Sequence, residues 1–260
     1  MIKKLGFQLY TVRDFMTDPD IADTAFKKLS AMGYSEVHTA GNYMSDEALG
    51  ELCKKHNMTI IGSHYDYDKI LNDPEATMAV HDAWGTKNVG IGGMPREIRE
   101  SLAGVKGFIE EFNRAAEIYA KHGFRLTYHH HNFEFARIDG YKTIMDLLYE
   151  NLDPKNTSFV LDTCWISAGG GDICAWLEKC AGRVDILHLK EMALKKDKTS
   201  NNFLHYITEV GNGNIAWDPV IKKATELGIN HFIVEQDTHF TPNAIASLKM
   251  SADFLKKYMA

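Results

Sequence analysis

The stretch Leu126-Thr-Tyr-His-His-His-Asn-Phe-Glu-Phe135 reads as a buried strand that ends in three histidines and delivers Glu134 just beyond them. Side chains alternate along a strand, so Arg125, Thr127, His129 and His131 share one face, and Phe124, Leu126 and Tyr128 share the other. The second face suits packing against helices. Three further strand-like runs end in the same way: Phe159-Val-Leu-Asp162, Asp185-Ile-Leu-His-Leu-Lys190 and His231-Phe-Ile-Val-Glu235. Each puts one oxygen or imidazole ligand at its C-terminal end. Glu134, Asp162, His188 and Glu235 are therefore candidate ligands of one divalent cation, with Mn²⁺, Mg²⁺, Co²⁺ and Zn²⁺ all compatible with that donor set.

Working outward from these runs, strand and helix patterns alternate along the whole chain. Strands are expected at 5–10, 35–38, 59–64, 88–92, in the opening stretch from 126 through the three histidines, and at 159–162, 185–190 and 231–235. Helices are expected at 21–32, 46–56, 74–84, 97–122, 141–151, 172–180, 218–227 and 242–258, with Ser45 as the cap of the second. Eight such units predict an α/β fold, a (β/α)₈ TIM barrel forming one domain over residues 1–260. The active site of such a barrel lies at the C-terminal strand ends, where all the candidate ligands fall. A doubly wound sheet would carry a glycine-rich phosphate turn after its first strand, whereas here that strand runs into Tyr10-Thr-Val-Arg-Asp14. The longest irregular piece, 191–214, holds Lys195, Lys196 and Lys198 and then Gly211-Asn-Gly-Asn214; it is a candidate lid or a solvated excursion.

Composition narrows the class. With 45% hydrophobic and 25% charged residues the chain is an ordinary globular one, able to bury a full core. A net charge of −6 argues against nucleic acid, whose phosphates require a basic surface, and is no obstacle to a neutral sugar. No apolar run approaches the ~20 residues of a membrane span. The N-terminus enters a strand pattern without a signal-peptide core, and none of Cys53, Cys164, Cys174 and Cys180 forms a Cys-x-x-Cys pair. A cytoplasmic location with reduced thiols is the expectation.

Several motifs together make the chain resemble the sugar phosphate isomerase/epimerase family, the xylose-isomerase-like barrels that include ketose 3-epimerases and inosose dehydratase. They are Gly6-Phe-Gln-Leu-Tyr-Thr-Val-Arg13, Tyr128-His-His-His-Asn-Phe-Glu-Phe135, Leu161-Asp-Thr-Cys-Trp165, His188-Leu-Lys190, Val210-Gly-Asn-Gly-Asn-Ile-Ala-Trp217 and Val234-Glu-Gln-Asp237. The resemblance implies a cation held by Glu, Asp, His and Glu at the ends of strands five to eight, with Asp162, His188 and Glu235 matching directly. The fifth-strand glutamate is displaced: histidines occupy its place and Glu134 follows in the loop. Glu134 is thus expected as the ligand, with His129 as the alternative. Homodimers or homotetramers are also implied.

Taken singly, each residue has a plainer reading: Asp162 as a turn cap, His188 as a satisfied core histidine, Glu235 as a rim carboxylate. Together they would bury charge without compensation unless a cation were present. Gln8, Tyr10, His64, Trp165 and Lys190 are the expected substrate-binding residues, a polar ring suited to a small carbohydrate. His38 points inward by the same alternation. The glycines 169–171 read as a tight loop rather than a phosphate cradle. The expected activity is that of a metal-dependent isomerase or epimerase abstracting a proton α to a carbonyl, with Glu134 and Glu235 as bases. A dehydratase outcome using His129 or His131 as acid or base stays open. More distant alternatives are an endonuclease-IV-like nuclease and a non-catalytic sugar-binding protein.

Overall fold

The computed structural model describes residues 1–41, 43–140, 142–197 and 199–260, and of Asp139 the backbone alone. Eight parallel strands form one sheet: β1 (Leu5–Gln8), β2 (Tyr34–Ala40), β3 (Thr59–His64), β4 (Asn88–Ile91), β5 (Arg125–His129), β6 (Thr157–Asp162), β7 (Val184–Leu189) and β8 (His231–Val234). Their order, β3-β2-β1-β8-β7-β6-β5-β4, is a circle opened between β3 and β4. That seam is drawn together by the Tyr65 N–H donating to the Gly90 carbonyl at 2.6 Å and the Asn88 side chain donating to the Ile61 carbonyl at 3.0 Å. The result is a nearly closed TIM barrel.

The barrel interior is layered. Ile61, Val160, Ile186 and Ile233 form a small apolar plug separate from the larger core between sheet and helices. Glycines make room for it: a Cβ on Gly62 would lie 2.9 Å from Ile186 Cδ1, and one on Gly6 would collide with Ile233 Cδ1. Above the plug, alternation raises the next inward side chains of β5 to β8 to the C-terminal mouth. The outward faces, such as Leu126 and Tyr128 on β5, are fully buried, and Tyr128 meets Phe108 and Phe112 edge-on.

The helices lie close to their predicted spans, and two of the differences have a visible cause. The stretch 97–122 is two helices, Arg96–Arg99 and Leu102–Ala120, because the Ser101 hydroxyl accepts from the Gly104 N–H and restarts the second. The piece 191–214 is not irregular but an antiparallel hairpin, Glu191–Lys196 with Phe203–Thr208. Its base is fixed by the buried Glu191 carboxylate, which accepts from the N–H groups of Gly211 and Ile215 and from the Trp217 indole. The helix expected at 141–151 runs over Ile144–Asn151, capped by Thr143; Tyr141 and Lys198 lie outside the described residues. Among the described residues no helix is long and apolar enough to cross a membrane.

Candidate metal centre

Four side chains converge at the C-terminal mouth: His129 from β5, Asp162 from β6, His188 from β7 and Glu235 just beyond β8. One ligand atom from each lies within 4.8 Å of all the others, and all four residues are buried. Strand pairing sets this up, since Asp162 stands opposite His188 in the β6–β7 register and both follow inward-facing residues of the plug. His130 braces the arrangement without joining it, its Nε2 accepting the Asp162 N–H at 3.1 Å.

Glu134 is not brought to this cluster. The turn Phe133–Phe135 folds its carboxylate back outside the barrel, where the Tyr128 hydroxyl donates to Oε1 at 2.5 Å and the His131 N–H to Oε2 at 2.8 Å. The expectation that it reaches the cation and serves as a base therefore does not match its position. Both of its oxygens are already engaged, and it is not among the four residues whose ligand atoms converge. The alternative residue, His129, occupies that corner.

The donor set fits a divalent cation on three observations. Asp162 Oδ2 and both ring nitrogens of His129 are buried without a hydrogen-bond partner, and Asp162 Oδ2 is 3.6 Å from His129 Nε2, too far for one. The charge is also unbalanced. Asp162, Glu235 and Asp237 surround a single buried ammonium, Lys190, at 3.7, 3.5 and 2.7 Å. With the three carboxylates ionised, two negative charges are left over.

The third observation is a proton inventory. Gln8 Oε1 accepts the Tyr10 N–H at 3.5 Å, which turns its Nε2 toward His38 Nδ1 at 3.2 Å. An amide nitrogen only donates, so His38 Nδ1 is an acceptor. His38 Nδ1 in turn lies 2.8 Å from His188 Nε2, which must then carry the proton. Burial, with Lys190 adding to it, lowers the His188 pKa to about 3, so the ring is neutral and its Nδ1 is bare. That bare nitrogen is 2.6 Å from Glu235 Oε2. Two lone pairs at this separation need either a carboxyl proton or a cation between them.

Electrostatics follow from burial. It pushes the Asp162 carboxyl well above its usual range, with Lys190 opposing and Glu235 adding to the rise. Burial alone would lower the Lys190 pKa, but Glu235, Asp162 and Asp237 together outweigh it and hold the ammonium. Burial lowers His38, His64 and His129 well below the ordinary imidazole value and His131 to about 4, so these rings are neutral hydrogen-bonding groups at pH 7.

The expected substrate-binding residues divide. Lys190 lies in the cluster, and its ammonium is 4.5 Å from the Trp165 ring centroid. Trp165 also flanks His131 at 5.4 Å, and its buried Nε1 has no partner. His64 packs at 4.6 Å from both His38 and His129. Gln8 instead acts through His38. Tyr10 is 39% exposed and packs beneath Arg13, at 4.2 Å. The glycines 169–171 are spaced for packing, since a Cβ on Gly169 would strike the Phe135 ring. Asp237, the closest partner of Lys190, was not among the expected site residues, although it follows Glu235 by two and so shares its parity.

Comparison with known proteins agrees with this architecture. The family model described as xylose isomerase-like TIM barrel matches residues 26–258. The inosose dehydratase of Lactiplantibacillus plantarum is 28% identical over 159 residues, 56% of this chain and 52% of that protein, so the match spans about half of that relative. The inosose dehydratase of Mesomycoplasma hyopneumoniae is 26% identical over 92% of this chain and 89% of its own length. A sugar phosphate isomerase/epimerase from Parabacteroides distasonis superposes with a TM-score of 0.79 over 98% of both chains at 23% identity, a likeness of fold.

Proposed function

The chain belongs to the xylose isomerase-like TIM barrel family, and from that premise we propose that it is a divalent-cation-dependent enzyme that removes a proton α to the carbonyl of a keto-sugar or keto-polyol. The observation that carries this reading is the convergence of His129, Asp162, His188 and Glu235, with the bare His188 Nδ1 at 2.6 Å from Glu235. These four residues would hold the cation, which when bound supplies Lewis-acid polarisation of the substrate carbonyl.

The remaining steps belong to the chain. Glu235 accepts the α-proton as general base. The Lys190 ammonium, held by three carboxylates, faces the negative charge that develops on the carbonyl oxygen. His131, a neutral imidazole beside Trp165, is available to hydrogen-bond the β-hydroxyl. Glu235 returns its proton to that hydroxyl as the C–O bond breaks, so the net change is loss of one water and formation of one C=C bond.

Dehydration is preferred to epimerisation for a geometric reason. Epimerisation needs a base on each face of the carbon, and the second carboxylate expected for it, Glu134, is engaged outside the barrel. The curated relatives named inosose dehydratase favour the same outcome. Epimerisation is the second reading, with an imidazole as the other base. Incubation of a panel of ketoses, 3-keto-glycosides and keto-inositols in D₂O tests the proposal. Deuterium entering the α-position, or an unsaturated ketone appearing, is expected for one class. Neither event across the panel, with the cation bound, would overturn the reading.

A further inference from the structure

Beside the metal cluster, between the ends of β4 and β5, the mouth opens into a hollow of about 430 Å³ lined by Gly92, Gly93, Arg99, His131, Asn132 and Phe133. Its character is opposite to that of the cluster. No carboxylate lines it, whereas three crowd the Lys190 side. The Arg99 guanidinium lies 3.5 Å over the Phe133 ring, and among the described residues no carboxylate comes within ion-pair distance of it. Its neighbour Arg96, by contrast, pairs with Glu100 at 3.5 Å. Half-buried over that ring and in no direct ion pair, with the Glu134 carboxylate acting on it only from beyond contact distance, Arg99 keeps its planar fork available for an anion.

The hollow connects directly to the chemistry. His131 lines it, stacks on Phe133 at 5.5 Å and stands edge-on to the cluster residue His129 at 4.8 Å. Its Nδ1 is buried without a partner on this side. Gly93 packs closely over that nitrogen: its φ of +135° suits only glycine, and a Cβ there would sit 3.1 Å from His131 Nδ1. Guanidinium, imidazole and the Asn132 amide offer donors around one floor.

We propose that this hollow is the subsite for an anionic arm, a phosphate or a carboxylate, of the substrate whose carbonyl is activated at the cluster. The substrate class of the reading above is thereby narrowed to keto-sugars or keto-polyols that carry such an arm. The acidic side of the mouth repels the arm and the Arg99 side receives it, which fixes the orientation of the substrate.

The test uses the ¹⁵N-labelled full chain, loaded with Mg²⁺ and again after chelation, titrated separately with inorganic phosphate and with acetate. Saturable shifts of the Gly92 and Gly93 backbone amide resonances and of the Arg99 side-chain resonances at millimolar anion are expected. Phosphate binding much the tighter supports a phosphate arm; comparable or tighter acetate binding supports a carboxylate. Arg99→Gln should weaken binding at least about tenfold, Arg99→Lys should fall between, and Arg96→Gln should change it less than about twofold. Absence of saturable shifts for both anions, or equal weakening by the Arg96 and Arg99 variants, overturns the subsite. Because anion binding is read with and without the cation, a chain that takes phosphate but no divalent ion would sink the proposed activity and leave the subsite standing.

Discussion

Replacing His38 by Phe isolates the part of the site that acts through another residue. The ring volume and its edge-on packing, 4.6 Å from His64 and 4.9 Å from His188, are kept. What disappears is the acceptor for the His188 Nε2 proton at 2.8 Å. The metal-free protein can relax by moving that proton to Nδ1, where it would donate to Glu235, so what it loses is the bond from the buried Gln8 amide, a loss common to the metal-free and cation-bound forms. A cation-bound protein cannot, because Nδ1 is then a ligand and the Nε2–H is left buried and unpaired. That costs about 1–3 kcal/mol, and outer partners of metal-bound histidines are typically worth about 10–100-fold in affinity. Isothermal titration of Mn²⁺ into chelator-treated His38→Phe should therefore show about 10–100-fold weaker binding, beside the fall in melting temperature of the metal-free protein that the orphaned Gln8 amide causes. His38→Gln, whose amide oxygen can accept the same proton, should recover most of the affinity. Unchanged affinity in the Phe variant, or a Gln variant no better than Phe, would refute the proton inventory.

Two other outcomes follow from the geometry. Glu235→Gln keeps the shape and one oxygen ligand but removes the base, so turnover should drop at least ~10²-fold with the circular dichroism spectrum unchanged; near-normal turnover would put the base elsewhere. Burial raises the Glu134 pKa to about 7, above its ordinary 4.5, so its protonated form is favoured in the folded state. The stability it contributes is then complete below about pH 4.5 and is lost as pH rises through about 7, a change on the order of 3 kcal/mol. Urea unfolding across that range should show the decline in the wild type and a flatter profile in Glu134→Gln; parallel profiles would contradict the assignment.

The barrel was legible because its rule is simple. Buried parallel strands separated by amphipathic helices leave their marks in periodicity, and the helix Pro74–Trp84 lies where the pattern puts it. The convergence of Asp162, His188 and Glu235 was legible because each lies at or beside a strand end, where alternation fixes which way a side chain points. Glu134 was not, since it lies past the strand end. Spacing gave its reach, but the turn Phe133–Phe135 and the hydroxyl of Tyr128 decide its side. The hairpin at 191–208 was hidden for a different reason. Its lysine-rich first strand lacks apolar alternation, and six cross-strand pairs, rather than burial, define it. The role of Gln8 could not be read from sequence at all, because it depends on a hydrogen-bond chain through His38, 30 residues away, to His188.

The account rests most directly on which fifth-strand residue holds the cation. Mn²⁺ affinity of chelator-treated His129→Ala and Glu134→Gln, measured side by side by titration and confirmed by elemental analysis, decides it. With His129 in the cluster and Glu134 bound to Tyr128 and His131, His129→Ala should lose at least about tenfold in affinity. Glu134→Gln should stay within a few-fold of wild type. An empty site in Glu134→Gln beside a filled one in His129→Ala would contradict the arrangement described.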